Sequence, residues 1–330
     1  MSIVHRRRLL CAAALALTAT CGSVALAQSQ PAPGGRPLTI VVPYPGGGAA
    51  DPVVRPLAQR LQERLGRPVI VDNRPGANGL IGTQHLIRQP ADGNTIMFHI
   101  TSLVQNLALS RGKPPYDFNQ DIAPLMLLGR QSVVLVVPGA SQWRSFPELA
   151  RAIKAQPTQF AYGSYGSGST SHIYGEALRA ALGVEMPHAA FKGTAPLMQE
   201  MLGGRIPMAF VSAATAVERD ADKSLRALAV AAPRRGELLP NVPTLAELGY
   251  PGFESTGWWG LFIRGGTPAN VTEPLLAAIR ATLNEPDMAA RLRQAALGPS
   301  NGTPAQIAAA MRAEYQHWEA LSRRFNITAE

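Results

Sequence analysis

Short apolar runs alternate with helix-like spacing along most of this chain. The run at residues 38–42, LTIVV, is typical of a buried strand. After it, apolar positions recur on one helix face at Val54, Leu57, Ala58, Leu61 and Leu65. The same pattern predicts further strands at 68–71, 95–100, 131–137, 160–163, 207–212 and 225–231, and helices at 80–88, 146–153 and 173–182. Such alternation favours parallel sheets with helices on both faces.

The chain is predicted to close with two long helices. Apolar and aromatic residues form a stripe along the second of them, at Ile307, Met311, Trp318, Leu321 and Phe325. This stripe is most simply explained as core packing. Hydrophobic residues make up 46% of the 330 residues and charged ones 16%, so the chain can bury a sizeable core. Outside the N-terminus no apolar run approaches the roughly 20 residues of a membrane helix, which excludes a polytopic membrane protein.

The N-terminus has the three parts of a secretory signal. Arg6, Arg7 and Arg8 are followed by a short apolar stretch at 9–19 and by the small-x-small site Ala25–Ala27. We therefore predict cleavage after Ala27, export to the periplasm and a leader at residues 28–37. A retained anchor helix is the alternative, but the apolar stretch is short for a bilayer. The paired arginines also faintly resemble a twin-arginine signal, which we rank below ordinary export.

Export removes both cysteines and part of the positive charge. Cys11 and Cys21 lie inside the signal, and Thr20 makes Cys21 a poor lipoprotein site, so the mature chain has no disulfide, thiolate or cysteine-ligated metal. Loss of the three arginines lowers the formal charge from +9 to about +6. The remaining basic residues are scattered, without a basic block between aromatics, so nucleic-acid binding is not expected.

Two glycine-rich loops carry the candidate chemistry, each between a predicted strand and a predicted helix. The first is PYPGGGAAD at 43–51, and the second is GSYGSGSTSH at 163–172. Glycine lets the backbone approach a ligand, and a helix N-terminus offers unpaired N–H groups and partial positive charge. Serine and threonine hydroxyls in the second loop add donors and acceptors. One such loop is most often a capped turn, but two matching loops favour an anion site.

Other motifs for ligands or catalysis do not fit the spacing. The first loop lacks the third glycine of a dinucleotide fingerprint, and the chain has no P-loop and no Gly-x-Ser-x-Gly elbow. His172 and Glu176 supply only two of the ligands that a metal needs. We interpret His172 as lining or supporting its loop, and Asp51 as holding the first loop rather than as a catalytic acid. Lys192 either pairs with a ligand anion or is a solvated lysine before another helix.

Eight segments in order resemble the signatures of one family. They are 42–51, 72–79, 90–93, 162–172, 192–193, 225–230, 240–244 and 257–261, the last reading GWWGL. Together they resemble the Bug (TctC-like) periplasmic solute-binding receptors of tripartite tricarboxylate transporters, over essentially the whole mature chain. The resemblance implies an α/β, two-lobed type II periplasmic-binding-protein (Venus-flytrap) fold, each lobe a mixed, mostly parallel sheet flanked by helices. Lobe 1 would comprise 38–132 plus 257–330, and lobe 2 residues 133–256.

The resemblance also implies a receptor without catalysis, cofactor or metal. It would be a monomer that binds a small carboxylate and works with membrane permease subunits. Ligands of open α/β sheets bind beyond the carboxyl ends of the strands, where both loops fall. Carried over by position, the ligand-binding residues of the first lobe are Tyr44, Pro45, Gly46, Gly47, Gly48, Asp51, Thr101 and Ser102. Those of the second lobe are Ser164, Tyr165, Gly166, Ser167, Gly168, Ser169, Thr170, His172, Lys192, Gly193, Thr194 and Ser212.

Departures from the family pattern bear on the ligand. The family often has Phe-Asp-Asn where this chain has Phe210-Val211-Ser212, so an acid that would accept an ammonium is missing. We therefore predict a di- or tricarboxylate or an aromatic acid, with Tyr44, Tyr165 and Phe210 as flat apolar walls. A periplasmic enzyme using Asp51 or His172, and a sensory receptor feeding a two-component system, are the alternative functions.

Overall fold

The computed structural model describes residues 35–110, 114–253, 256–298 and 302–327. The predicted signal, its cleavage site and both cysteines lie outside the described residues. Within them, no helix combines the length and the apolar composition needed to cross a bilayer.

The first lobe is built on a five-stranded sheet ordered β2-β1-β3-β10-β4. Its strands are β1 (Leu38–Val42), β2 (Val69–Asn73), β3 (Thr95–Ile100), β4 (Ile122–Gln131) and β10 (Gly257–Arg264). Strand β1 pairs in parallel with β2 and β3, whereas β10 runs antiparallel to β3 and β4. The carboxyl ends of β1, β2 and β3 consequently meet at one edge of the sheet, as parallel pairing requires.

The second lobe repeats this arrangement in the order β7-β6-β8-β5-β9. Its strands are β5 (Val133–Pro138), β6 (Tyr162–Ser164), β7 (His188–Ala190), β8 (Met208–Ser212) and β9 (Leu225–Ala231). Here β6 is parallel to β7 and β8, and β5 is antiparallel to β8 and β9. In each sheet four strands run in one direction, and only β10 or β5 runs in the other. Both sheets are therefore mixed and mostly parallel, as expected from the sequence.

Helices cover the faces of both sheets. Those before β5 are α1 (Asp51–Leu65), α2 (Leu80–Ile87), α3 (Ser102–Leu109) and α4 (Phe118–Asp121). Those between β5 and β9 are α5 (Phe146–Ala155), α6 (Thr170–Leu182), α7 (Thr194–Leu202) and α8 (Ala213–Ala221). The last three are α9 (Ala269–Leu283), α10 (Pro286–Gln294) and α11 (Pro304–Arg324). The prediction of two closing helices is wrong, because a short third helix, α10, lies between the two long ones. It begins with a proline at its first helical position.

One hydrophobic cluster runs through both lobes. It joins Met97 and Leu103 of the first lobe to Leu135 and Phe210 of the second, with Trp318 of α11 fully buried among them. The stripe on α11 is core packing as predicted, although Phe325 at its end is only half-buried. The two lobes therefore share one apolar core.

Candidate functional site

The first loop, residues 43–50, connects the end of β1 to the start of α1. Asp51 holds it, because its Oδ2 accepts the Gly47 N–H at 2.7 Å and the Arg55 Nε–H at 2.8 Å. Burial alone raises the pKa of Asp51, but the Gly47 and Arg55 hydrogen bonds together bring it below its ordinary value. Gly47 has a φ of +78°, which a side chain rarely adopts. The prediction that Asp51 holds this loop is confirmed.

Asn73, the last residue of β2, braces the same loop from the side. Its Nδ2 donates to the backbone oxygen of Tyr44 at 3.0 Å, and its Oδ1 accepts from Arg55 Nη2 at 3.1 Å. Gly46, Gly47 and Gly48 remain exposed, with the loop held at both ends. The exposed glycines leave backbone groups accessible to a ligand.

Tyr44 turns inward from the first loop to the end of β3. Its hydroxyl lies 2.8 Å from Ser102 Oγ and 3.4 Å from His99 Nδ1. Burial raises the pKa of Tyr44, and the phenol of Tyr165 raises it further, against the hydrogen bond of Ser102. Tyr44 is therefore a neutral donor and acceptor at any ordinary pH.

A left-handed turn backs Tyr44. Four consecutive residues, 76–79, have φ between +45° and +129°. At Gly79 an added Cβ would lie 2.6 Å from His99 Nε2 and 3.3 Å from the Tyr44 hydroxyl. The turn is also tied to α3, because Asn78 Nδ2 donates to Asn106 Oδ1 at 3.2 Å. Backbone strain of this kind tends to occur where a binding site requires a fixed shape.

Thr101 has a supporting role. It is 3% exposed, and its Oγ1 accepts the backbone N–H of Trp258 at 2.8 Å. This bond fixes the end of β3 to β10 beside Ser102. The side chain of Thr101 thus positions the neighbouring Ser102 within the lobe.

The second loop, residues 164–169, connects β6 to α6 and is closed on itself. Ser169 Oγ donates to the Gly166 carbonyl at 2.6 Å, and Ser164 Oγ donates to the same oxygen at 3.1 Å. Ser169 also accepts from His172 N as the N-cap of α6. Gly168 N–H donates to His172 Nδ1 at 3.0 Å, so His172 supports its loop as predicted.

The two lobes touch beside these loops. Gln105 Nε2 of α3 donates to Thr170 Oγ1 of α6 at 2.8 Å, and the two residues are only 1% and 6% exposed. Gly168 faces Leu109 so closely that an added Cβ would lie 2.5 Å from Leu109 Cδ1. Tyr165 is half-buried, shares a hydrogen bond with Thr170 and lies near Tyr44. The structure therefore brings Tyr44, Ser102, Tyr165 and Thr170 together.

The remaining predicted residues surround the second loop. Gly193 N–H donates to the Tyr165 carbonyl at 3.1 Å and has a φ of +108°, and Thr194 begins α7. Ser212 ends β8 and caps α8 by accepting from Thr215 N at 3.1 Å. Lys192 is exposed, as are Pro45 and the glycines of the first loop, and Ser167 is half-buried.

Phe210 is not a wall of the site. It is 1% exposed and packs in the core, with its ring centroid 5.7 Å from that of Tyr174 and 6.2 Å from that of Phe253. The prediction of a flat wall at Phe210 is wrong, because even-numbered positions of β8 point to the core shared by the lobes. Val211 on the opposite face is fully buried as well.

Several residues of the site were missed from the sequence. Gln105, His99 and Asn73 follow apolar runs and carried no motif of their own, although Asn73 lies in the DNRPG segment. His188 stacks on His172, with ring centroids 3.9 Å apart. The common signal of Asn73, His99 and Gln105 is a polar residue at the carboxyl end of a strand or in the first turns of the next helix, whereas His188 begins β7 and has no such signal.

The groups that the site offers to a ligand anion are backbone N–H groups and neutral hydroxyls, not a cation buried beside the ligand. Asp51 is ionised and paired with Arg55, and Lys192, the cation among the predicted residues, is exposed. No group of three metal-ligating side chains occurs in the described ranges. Such a donor set suits a carboxylate held at two helix N-termini, α1 and α6.

Comparisons with known proteins match this chain over most of its length. The family model of the tripartite tricarboxylate transporter family receptor matches residues 53–327. A protein from the tcbD-tcbE intergenic region of Pseudomonas sp. (strain P51) is 35% identical, over 99% of this chain and 96% of its own. BugT of Bordetella pertussis is 31% identical, over 92% and 94%.

Solved structures share the two-lobed architecture. A Rhodopseudomonas palustris protein solved with adipate has a TM-score of 0.82 and 28% identity, covering 89% of this chain and 98% of its own. MatC from the same organism, solved with bound malate, has a TM-score of 0.78 and 28% identity, covering 87% and 98%.

Proposed function

The chain belongs to the receptor family of tripartite tricarboxylate transporters, and we propose that it captures a small carboxylate between its two lobes for delivery to permease subunits. It does so in the periplasm, after removal of residues 1–27. The observation that carries the proposal is that two glycine loops, each held by its own hydrogen bonds at a helix N-terminus, bring Tyr44 and Tyr165 near each other. This arrangement supports anion capture because N–H groups and helix dipoles from both lobes face one ligand.

The ligand is a carboxylate without an ammonium group. An ammonium buried in a closed site needs an anionic partner. Val211 is buried and apolar, Ser212 is occupied in capping α8, and Asp51 is paired with Arg55. The related structures with adipate and malate, both dicarboxylates, support this class. An aliphatic dicarboxylate is therefore favoured over a tricarboxylate or an aromatic acid.

A calorimetric panel tests the ligand class. Succinate, malate, adipate, citrate, nicotinate, benzoate, aspartate and glutamate are titrated into the mature protein after any co-purified ligand has been removed. We expect a dicarboxylate to bind and to raise the melting temperature with its concentration. Tight binding of aspartate or glutamate alone would contradict the inference from Val211 and Ser212.

The variant Asp51→Asn tests whether the first loop contributes to ligand binding. The substituted side chain retains an amide oxygen that can accept the Gly47 N–H, but it loses the charge paired with Arg55, so the first loop is loosened. We expect weaker binding of the same dicarboxylate in this variant. The matched control is Asp287→Asn, which removes an exposed carboxylate paired with Arg60 far from both loops.

The receptor binds its ligand without converting it. Mass spectrometry of the ligand recovered after incubation should give the starting acid unchanged. Steady conversion that scales with protein concentration through further purification would instead establish an enzyme on this scaffold.

A further inference from the structure

Two histidines lie beneath the second loop. His172 is in the first turn of α6, and His188 begins β7. Their rings stack with centroids 3.9 Å apart and planes 8° apart, and Tyr162 packs on His188 at 4.7 Å. The imidazoles are part-buried, so their contacts are fixed by the surrounding packing.

Each imidazole is bonded to one end of the loop. Gly168 N–H donates to His172 Nδ1 at 3.0 Å near the start of α6. His188 Nε2 lies 2.8 Å from Ser164 Oγ, which itself donates to the Gly166 carbonyl. The stacked pair therefore fixes the loop where it leaves β6 and where it enters α6.

We propose that His172 and His188 are positioning residues, and that they hold the second loop in its binding shape only while Nδ1 of His172 carries no proton. Acid then loosens the loop and weakens capture of the carboxylate. This inference rests on the proposed function, because the loop is the part of the site that it controls.

The chemistry follows from the hydrogen bonds. A backbone N–H can donate only to an unprotonated Nδ1, so a proton on His172 Nδ1 would set two donors against each other. The parallel rings are also too close for two positive charges, which repel strongly at such separations. Burial and the nearby His172 hold the pKa of His188 down, at about 4.

The charged side chains near the two histidines are paired with one another. On α6, the carboxylate of Glu176 accepts the Tyr162 hydroxyl from β6 and pairs with Arg179 at 2.7 Å. Arg179 also pairs with Glu185. The C-terminal segment facing the pair contributes Phe325, Asn326 and Ile327, which do not titrate, and a cavity of about 320 Å³ between these elements gives protons access.

Three variants test the proposal. His172→Asn places Oδ1 where Nδ1 lies and so keeps an acceptor that does not titrate, whereas His172→Phe keeps a flat ring without an acceptor. His85→Asn is the control, since it removes a histidine of α2 outside the site. Dissociation constants for adipate and malate are measured at pH 8 and at pH 4.5. The ratio of variant to wild type at each pH cancels the ligand's own titration.

We expect His172→Phe to bind roughly fivefold more weakly at pH 8, the effect of one lost hydrogen bond, and His172→Asn, which keeps an acceptor, to lose less affinity than His172→Phe. At pH 4.5 the Asn variant should bind more tightly than the wild type, while His85→Asn follows the wild type. If the wild type and His172→Asn weaken equally with acid, or if the Phe variant binds normally, the proposal is overturned.

A second measurement needs no ligand. Hydrogen exchange of the Gly168 amide, followed by NMR, should be faster in His172→Phe than in the wild type or in His172→Asn. Nitrogen shifts should show Nδ1 of His172 unprotonated at pH 7.5. A proton on that atom would contradict the proposal. These results decide it even if neither acid binds, an outcome that would instead reject the proposed ligand class.

Discussion

At the scale of single residues, the site depends on groups that are kept neutral by burial. Tyr44 and Tyr165 both have a raised pKa, chiefly because burial disfavours their charged forms. A phenol that cannot ionise remains a donor to a carboxylate throughout the physiological range. Recognition then relies on placed hydrogen bonds more than on ion pairing.

The variant Tyr44→Phe tests this reliance. It removes the hydroxyl that lies 2.8 Å from Ser102 Oγ but keeps the ring against Phe98. We expect carboxylate affinity to fall roughly fivefold to tenfold, the effect of losing about 1 kcal/mol of hydrogen bonding. Isothermal calorimetry measures the affinity. Tyr315→Phe on α11, which loses a bond to Glu319, is the matched control and should bind normally.

Two histidines with a lowered pKa make the free energy of unfolding depend on pH. Burial lowers the pKa of His99 and of His188 from 6.5 to about 4. Between these values the unfolded chain binds protons that the folded chain does not, so stability falls as the pH falls from about 6.5 to 4. For His99, which is fully buried, the loss amounts to about 3 kcal/mol.

Urea unfolding at several pH values between 7 and 4.5 measures this slope. His99→Leu should be less pH-dependent over that window whatever its absolute stability, because it removes one titrating group. An unchanged slope in the variant would show that the pKa of His99 is the same in the folded and the unfolded chain.

At the scale of elements, the two loops differ in what surrounds their glycines. Gly47 and Gly168 both have a positive φ, but only Gly168 faces another element, Leu109 of α3. We expect Gly47→Ala to cost about 1 kcal/mol of backbone strain with the fold retained. Gly168→Ala should cost more, because its Cβ would also displace the buried side chain of Leu109. Denaturant unfolding of both variants checks the order, and equal losses would contradict it.

The same scale shows what the sequence could predict. Strands β1, β3 and β9 match the predicted apolar runs because both faces of their sheets are covered. Helix α1 matches the predicted spacing because its apolar positions face one core. The predicted strand at 131–137 covers the last residue of β4 and most of β5, which lie in different sheets. The apolar run continues across Ser132, so hydrophobicity alone did not mark the crossing between lobes.

Contacts between residues far apart in the chain could not be predicted from the sequence. The glycine loops were recognisable because turns have local signatures. Gln105, by contrast, is a buried polar residue in α3 whose partner lies 65 positions away, in α6. Its role depends on how the lobes meet, and no local pattern carries that information.

At the scale of the whole molecule, the bond between Gln105 and Thr170 links the two lobes where they close. Both side chains are buried, so breaking the bond alone leaves an unsatisfied group, while removing both partners is milder. A receptor that opens and closes needs such contacts to be weak individually, since a ligand can shift the equilibrium only by its differential affinity for the two states.

A double-mutant cycle measures this contact. Gln105→Leu and Thr170→Val are made singly and together, and the free energy of unfolding and the radius of gyration are determined without ligand. We expect a coupling energy of about 1 kcal/mol and a larger radius in each single variant, because the unpaired polar group favours the open arrangement of the lobes. Ser322→Ala, which removes a buried bond to Ala108 within the first lobe, should leave the radius unchanged. Additive effects of the two substitutions, with radii equal to that of the wild type, would mean that closure is governed by the apolar contact of Leu109 with Gly168 instead.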